Sequence, residues 1–569
     1  MNYNFELPIY YLEDKKKLDH DIINDLELLD LNDVTEERTA LLETIIKPDS
    51  KIGVENLNKL CEYYTDNKKF LKETQQLISN WKYDDKNKKK QKQYDEFYDL
   101  WKNIKNDENF ADRYYYIDIE YFHFLNHSSH FLQILSLYNL LSPILTLIMP
   151  IILLLVPFFM LKFSGVPITL NSYYVVLGNI FSKHALGNIF TLLDDIPWEH
   201  KIYSVVSIVF YFFSIYQNSL VCYRFYKNFT SIHNDLFLLR DYLNTTISNM
   251  NLIELSCNKY NTYTPFLESI KPHKDLCIRF KNKLDNITPL EMKKITTKCN
   301  QIGEIMKYFY EIHNNKDVES AINFSFGFNA FMEHINGFCN LRREKLINKC
   351  NFGNNKMKME NAFFPYLLEN KPVKNTITLK KNIAITGPNA SGKTTILKSI
   401  LFNLILSQSF GYGFYSKAKI PLYSHIHCYL NIPDTSGRDS LFQAEARRCK
   451  EIMESLEDNK KHFCIFDELF SGTNPNEACA SSYGFIKYLI NKKNIDFVLT
   501  THLLNLCKKI NSVIENNHMN VIKINDFNFD YTYKMYPGIS DIKGGLKVLA
   551  DLNYPEYILN ESNNLLKNM

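Results

Sequence analysis

The residues with the most specific chemistry in the chain are Gly387, Pro388, Asn389, Ala390, Ser391, Gly392, Lys393, Thr394 and Thr395. They fit the spacing Gly-x4-Gly-Lys-Thr, which wraps backbone N–H groups around a chain of phosphates. Lys393 would reach the β- and γ-phosphates, and the Thr394 hydroxyl would ligate Mg²⁺. Two acids, Asp467 and Glu468, end the apolar run that starts at His462. Asp467 suits Mg²⁺, directly or through water, and Glu468 suits activation of an attacking water. His502 ends another apolar run, Phe497–Thr501, where it would sense a γ-phosphate; as a lone histidine it would be structural. Together these residues predict an ATP hydrolase using ATP and Mg²⁺.

Such a site needs elements that hold it. The apolar run Asn382–Thr386 reads as a strand leading into the loop, and Ile396–Leu406 reads as the helix that follows it. A helix N-terminus adds partial positive charge for phosphate. Residues 362–569 alternate strand and helix patterns, as an α/β nucleotide-binding domain does. The Asn-, Lys- and Met-rich stretch Asn351–Asn361 reads as the boundary before it, so the ATPase domain is expected over 351–569.

A chain of 569 residues is expected to hold more than one domain, and 45% hydrophobic residues exclude global disorder. The net charge of +3 neither favours nor excludes nucleic acid. Twelve cysteines lie scattered, without C-x-x-C pairs or zinc spacing, which suits reduced thiols in a cytosolic compartment. No signal peptide is visible near Met1–His20. Residues 1–130 are polar and mostly helical in pattern; Leu57, Leu60, Cys61 and Tyr64 fall at helical spacing. Five lysines in Lys86–Lys92 form a solvated face or a patch for phosphate or lipid headgroups.

Two runs lack charge, Phe131–Leu161 and Ile202–Tyr223. Each exceeds the roughly 20 residues a helix needs to cross hydrocarbon. They predict a membrane hairpin over 131–223, with transmembrane helices at about 139–161 and 202–223. Pro143, Pro150 and Pro157 would be kinks on one face. Phe163–Ser182 is also uncharged but holds Gly, Pro, Asn and Ser; it reads as re-entrant or interfacial. ATP orients the hairpin, placing both termini and the ATPase on the cytosolic side. Residues 224–350 read as a helical lever. The fold class expected is α+β multidomain: a helical N-terminal and lever region with two transmembrane helices, then a C-terminal α/β P-loop ATPase.

Residues 362–569 resemble the ATPase domain of the MutS mismatch-repair family, a branch of the ABC-type ATPases. The likeness is carried by Thr386–Asn389, by Ser440, Phe442 and Glu445 of an S-x-F-x-x-E signature preceded by Ser436-Gly-Arg438, and by Asp467-Glu468 followed by Ser471-Gly-Thr473. Thr501-His502 and the closing Gly545-Leu, Val548, Ala550 and Pro555 complete it. No L-S-G-G-Q of the transporter ATPases separates the loop from Asp467. Ala390-Ser391 replaces the family's usual Met-Gly, and Lys543-Gly544 stands where it has Ser plus an aromatic. An adenine-stacking aromatic is not evident; Pro372–Asn375 is the place to look. More weakly, Leu18–Leu26 and Ser50–Leu57 are similar to the start of the family's helical core, and a mispair-reading domain is missing.

The resemblance implies a head-to-head homodimer in which Ser440, Phe442 and Glu445 of one copy complete the ATP site of the other. It also implies DNA, mismatched DNA in particular, as ligand. The membrane pair falls where the family inserts its DNA clamp. The alternative expectation is an ATP-driven, membrane-associated remodelling or tethering machine that does not bind DNA.

Overall fold

The computed structural model describes residues 4–31, 39–81, 87–181, 198–287, 300–353, 356–430, 440–524, 529–540, 542 and 544–568. The chain divides into two compact units. One holds Met1–Gln91, Asn249–Pro272 and Asn323–Met569; the other holds Lys92–Ser248 and His273–Ile322. Long-range packing thus joins the two ends of the chain in one unit.

In the first unit a six-stranded sheet runs in the order Phe529–Pro537, Glu515–Lys523, Ile383–Thr386, Ile495–Thr500, His462–Asp467, His425–Tyr429. Neighbours pair in parallel except for the antiparallel edge Phe529–Pro537. Ile383–Ile385, Phe463–Phe466 and Phe497–Leu499 are apolar and buried on both faces, as central parallel strands require. A second sheet has five strands, in the order Asn375–Thr378, Lys358–Ala362, Lys417–Ile420, Asn348–Phe352, Tyr412–Gly413. The stretch expected as a boundary, Asn351–Asn361, therefore contributes to two strands of this sheet. Its polar letters alternate with buried Phe352, Met357 and Met359, and composition hid the alternation.

The helix Lys393–Phe410 is buried along nearly its whole length. Its polar groups are matched by the N-terminal segment. Gln408 donates to the carbonyls of Thr65 (3.1 Å) and Tyr423 (2.8 Å), and Ser409 donates to Tyr63 (3.1 Å). Gln75 donates to the carbonyls of Cys350 and Gly411, both at 2.7 Å. Phe5 meets Phe324 and Phe266 edge-on, with centroids 5.3 and 6.1 Å apart. Leu57, Leu60, Cys61 and Tyr64 are buried as expected, but in a 3-10 turn, Leu57–Cys61, and a short strand, Tyr63–Thr65. Of the lysine-rich Lys86–Lys92, the side chains lie outside the described residues.

The second unit is helical. Ser129–Phe163 is one continuous helix through all three prolines, and Leu170–Phe181, inside the stretch Phe163–Ser182 read as re-entrant or interfacial, is a further helix. Trp198–Cys257 is a single helix of 60 residues, shared between the units. Pro143 and Pro150 have no N–H to give the carbonyls of Asn139 and Thr146, four residues back. Those carbonyls find other donors: Ser142 Oγ at 3.2 Å and Tyr211 Oη at 3.1 Å. Asn218 Nδ2 donates to Thr146 Oγ1 at 2.7 Å and Cys222 Sγ lies 3.3 Å from the Leu140 carbonyl, so the two long helices run antiparallel. Among the described residues, two helical stretches, Ser129–Met149 and Val205–Cys257, are long and apolar enough to cross a membrane.

Candidate nucleotide site

The loop 387–395 connects the buried strand Ile383–Thr386 to the helix Lys393–Phe410. Gly392 holds φ +92, a left-handed backbone, and a Cβ there would stand 3.2 Å from the Tyr533 ring. Ala390 is also left-handed at φ +60, which costs about 1 kcal/mol for a residue with a Cβ. This is where the sequence departs from Met-Gly, and the loop keeps its turn despite the departure.

Lys393 Nζ donates to the carbonyls of Gly387 (3.2 Å) and Pro388 (3.3 Å), and stands 3.0 Å from His502 Nε2 and 3.7 Å from Glu468 Oε1. His502 Nε2 lies 2.9 Å from Glu468 Oε1. Burial pulls the Lys393 ammonium below its ordinary range, against the opposing charges of Glu468 and Asp467. The hydrogen bond from His502 holds the Glu468 carboxyl low, despite partial burial. Glu468 therefore enters as a carboxylate, the form that accepts a proton. It sits just past the end of its strand at φ +52, a strained backbone of the kind that gathers at functional positions.

Thr394 Oγ1 donates to Asp467 Oδ2 at 2.7 Å, and the Thr500 hydroxyl donates to the other carboxylate oxygen. A hydroxyl and a carboxylate side by side suit Mg²⁺, which uses one or two protein oxygens and takes the rest from water and phosphate. Among the described residues there is no group of three His, Cys, Asp or Glu that could hold a metal ion. Ser391 Oγ is buried in the loop without a protein partner, a further polar atom suited to a phosphate oxygen.

Two cavities flank the loop. One, about 280 Å³, is lined by Gly387, Asn389, Thr501, His502, Ser540 and Gly544. The other, about 430 Å³, is lined by Lys371, Pro372, Val373, Asn375, Thr395 and Tyr533, among others. The stretch Pro372–Asn375 lines this cavity together with three aromatics, Phe363, Phe364 and Tyr533, that the sequence did not single out. Asn375 ties the stretch to Tyr533: its Nδ2 donates to the Tyr533 carbonyl at 2.9 Å. The departure at Gly544 has a steric reason. A Cβ at that position would meet Pro388 Cβ at 2.6 Å and Asn389 N at 3.1 Å.

Ser440, Phe442 and Glu445 line neither cavity. Ser440 caps the helix Leu441–Glu454: its hydroxyl accepts from Gln443 N at 3.3 Å, and Gln443 Oε1 accepts from Ser440 N at 2.9 Å. Phe442 rests on Phe470, with centroids 5.7 Å apart. Glu445 is buried and binds Ser471 and Gly472, just past Glu468. Ser436-Gly-Arg438 lies outside the described residues. Gly545–Asp551 is a helix, as the closing motif requires.

Comparison with known proteins agrees with this geometry. The family profile MutS domain V matches residues 383–569. "DNA mismatch repair protein MSH3" of Yarrowia lipolytica is 28% identical over 201 residues, covering 35% of this chain and 20% of that protein. "MutS protein homolog 4" of Mus musculus is 33% identical over 201 residues, 33% of this chain and 21% of that protein. "DNA mismatch repair protein MutS" of Fusobacterium nucleatum is 29% identical over 205 residues, 35% of this chain and 22% of that protein. The matches span about a fifth of the length of these relatives. With the loop, the acidic strand end and the signature helix in the order found here, residues 383–569 match MutS domain V.

Proposed function

We propose that this chain is a membrane-anchored ATP hydrolase of MutS type that acts on DNA. The observation that carries the hydrolase is the convergence of Lys393, Glu468 and His502 within 3.7 Å of one another beside the phosphate loop. Lys393 and the loop N–H groups hold the triphosphate, and the base lies in the cavity beside Tyr533 and Pro372–Asn375. Thr394 and Asp467 hold Mg²⁺, which neutralises phosphate charge when bound. Glu468 takes the proton of the water that attacks the γ-phosphorus; the bond to the bridging oxygen breaks and ADP leaves. His502 orients the Glu468 carboxylate and faces the γ-phosphate. Two heads dimerise so that Ser440 of one copy meets the ATP of the other; ATP closes the dimer and hydrolysis reopens it. Mismatched DNA as ligand follows from what the relatives are named for.

Membrane anchoring is supported by an inverted helix. Ser136, Asn139 and Ser142 of Ser129–Phe163 are buried, while Ile134, Leu141, Ile144, Leu145 and Leu147 are exposed. That pattern suits a hydrocarbon solvent, where polar groups turn inward and backbone groups freed by proline find partners on a neighbouring helix. Both termini would share the nucleotide side. The same inversion favours a second reading: a machine that works on membrane proteins without DNA.

One set of measurements separates these. The full chain in detergent is assayed for phosphate release and for duplex binding across salt. Lys393→Ala is expected to abolish release, and Glu468→Gln to bind ATP without turnover. Release unchanged in both variants would overturn the hydrolase. Binding that falls steeply with salt supports DNA; none at low salt selects the second reading. Retention in the pellet on carbonate extraction supports the anchor, and full release overturns it.

A further inference from the structure

The segment just before the first apolar helix carries four large side chains turned to the outside. Ile119 is 62% exposed, Tyr121 89%, Phe122 48% and Phe124 64%. Glu120–His127 is a 3-10 stretch, and its base is firmly set. The fully buried Asn126 accepts from Ile117 N at 3.0 Å and donates to Ile117 O at 2.8 Å. The buried Tyr116 donates its hydroxyl to the Met306 carbonyl at 2.6 Å and stacks on Phe110 at 5.4 Å. The exposure thus belongs to an anchored segment.

Its place along the helices says what covers it. The antiparallel register set by Cys222–Leu140 and Asn218–Thr146 brings Tyr223 level with Tyr138–Leu140, inside the first helix rather than at its start. Tyr138, Tyr223 and Tyr226 are also exposed, by 60, 65 and 41%. Charge begins at the same level, with Arg224 and Lys227. Apolar helix surface, a band of exposed tyrosines and the first cations thus follow one another, which is the profile of a membrane–water boundary. The residues just before the segment 119–124 reach that level: Asn228 Nδ2 donates to the Arg113 carbonyl at 2.6 Å, and the Tyr115 and Phe225 rings have centroids 5.8 Å apart.

We propose that Ile119, Tyr121, Phe122 and Phe124 insert into the headgroup layer of the bilayer leaflet on the nucleotide side, as an interfacial anchor separate from the spanning helices. Aromatic side chains with one polar end suit that layer. The inference rests on the membrane reading above.

The test distinguishes the two. The full chain is reconstituted in vesicles of equal parts phosphatidylcholine and phosphatidylglycerol. The photoreactive p-benzoylphenylalanine is placed in turn at Tyr121, Phe124, Ile148 and Leu255, and lipid adducts are measured by mass. Ile148 lies on the exposed face of the first apolar helix, and Leu255 is exposed in the other unit. Adducts at Tyr121 and Phe124 comparable to those at Ile148, with none at Leu255, are the expected result. Adducts at Ile148 alone overturn this inference and leave the spanning helices standing. Adducts at none of these sites overturn both. Adducts at Tyr121 and Phe124 without Ile148 support the interfacial anchor and remove the spans.

Discussion

One carboxylate oxygen of Glu445 accepts both the backbone N–H of Ser471, at 3.0 Å, and its hydroxyl, at 2.8 Å. The other oxygen accepts Gly472 N at 3.1 Å. The signature helix is therefore fastened to the residues that follow Glu468. Ser471 and Gly472 are exposed, so in Glu445→Ala water can take up their donors, and the loss is that of the charge-assisted bonds, about 1–3 kcal/mol. Thermal unfolding should report that loss, and phosphate release should fall with it. Unchanged release in a folded Glu445→Ala protein would show that the fastening does not serve hydrolysis.

Tyr533 should set affinity for the base. Its ring approaches the Gly392 position and lines the same cavity as Val373 and Asn375. Tyr533→Ala is expected to weaken ATP binding roughly tenfold, the scale of one lost aromatic contact, while Tyr533→Phe keeps most of it. Equilibrium binding of a fluorescent ATP analogue reads both variants, and inorganic triphosphate should not tell them apart from the parent.

Ser440 should work across the dimer. A mixed dimer is made with Ser440→Arg in one copy and Lys393→Ala in the other. If Ser440 acts in trans, both lesions fall in one composite site and the other site turns over. A mixed dimer as inactive as either mutant homodimer would contradict that arrangement.

Stability should fall in acid through a stack of imidazoles. His425, His427 and His462 lie nearly parallel, with centroids 4.9–6.2 Å apart. Burial, followed by the neighbouring imidazoles and Arg448, pushes His427 down to about 3; Asp19 opposes this only weakly. Burial also lowers His425, beside Glu457, Lys16 and Lys460, and His462, whose Nε2 faces the Glu457 backbone. An unfolded imidazole takes its proton near 6.5, so the native form binds fewer protons below that pH. This contribution is complete above about pH 6.5 and is lost as the pH falls. From His427 alone the loss at about pH 5 is roughly 2 kcal/mol. Urea unfolding at about pH 7.5 and about pH 5 measures it, and His427→Asn should flatten the difference.

The phosphate loop, the acidic strand end and the signature helix were legible because their chemistry is local: each needs a few residue types at fixed spacing. Tyr533 was not, because the edge strand that carries it comes from far along the chain and reaches the loop only through pairing with Glu515–Lys523. The boundary drawn at Asn351–Asn361 failed for a related reason. Short sheet strands with alternating Asn and Lys look like linker until their buried Phe352 and Met359 are paired. The helix that carries the three prolines runs unbroken from Ser129 to Phe163. The hydrogen bonds missing at Pro143 and Pro150 are answered by Ser142 and, from another helix, by Tyr211.

The union of Met1–Gln91 with Asn323–Met569 in one unit bears on how the chain is made. A ribosome delivers the first strand and helix long before the helix Lys393–Phe410 on which they close. The side-chain amide of Gln75 and the carbonyl of Thr65 await Cys350, Gly411 and Gln408. The early segment therefore waits, exposed, through most of synthesis, and its pairing is the late, long-range step that slows folding and invites chaperones.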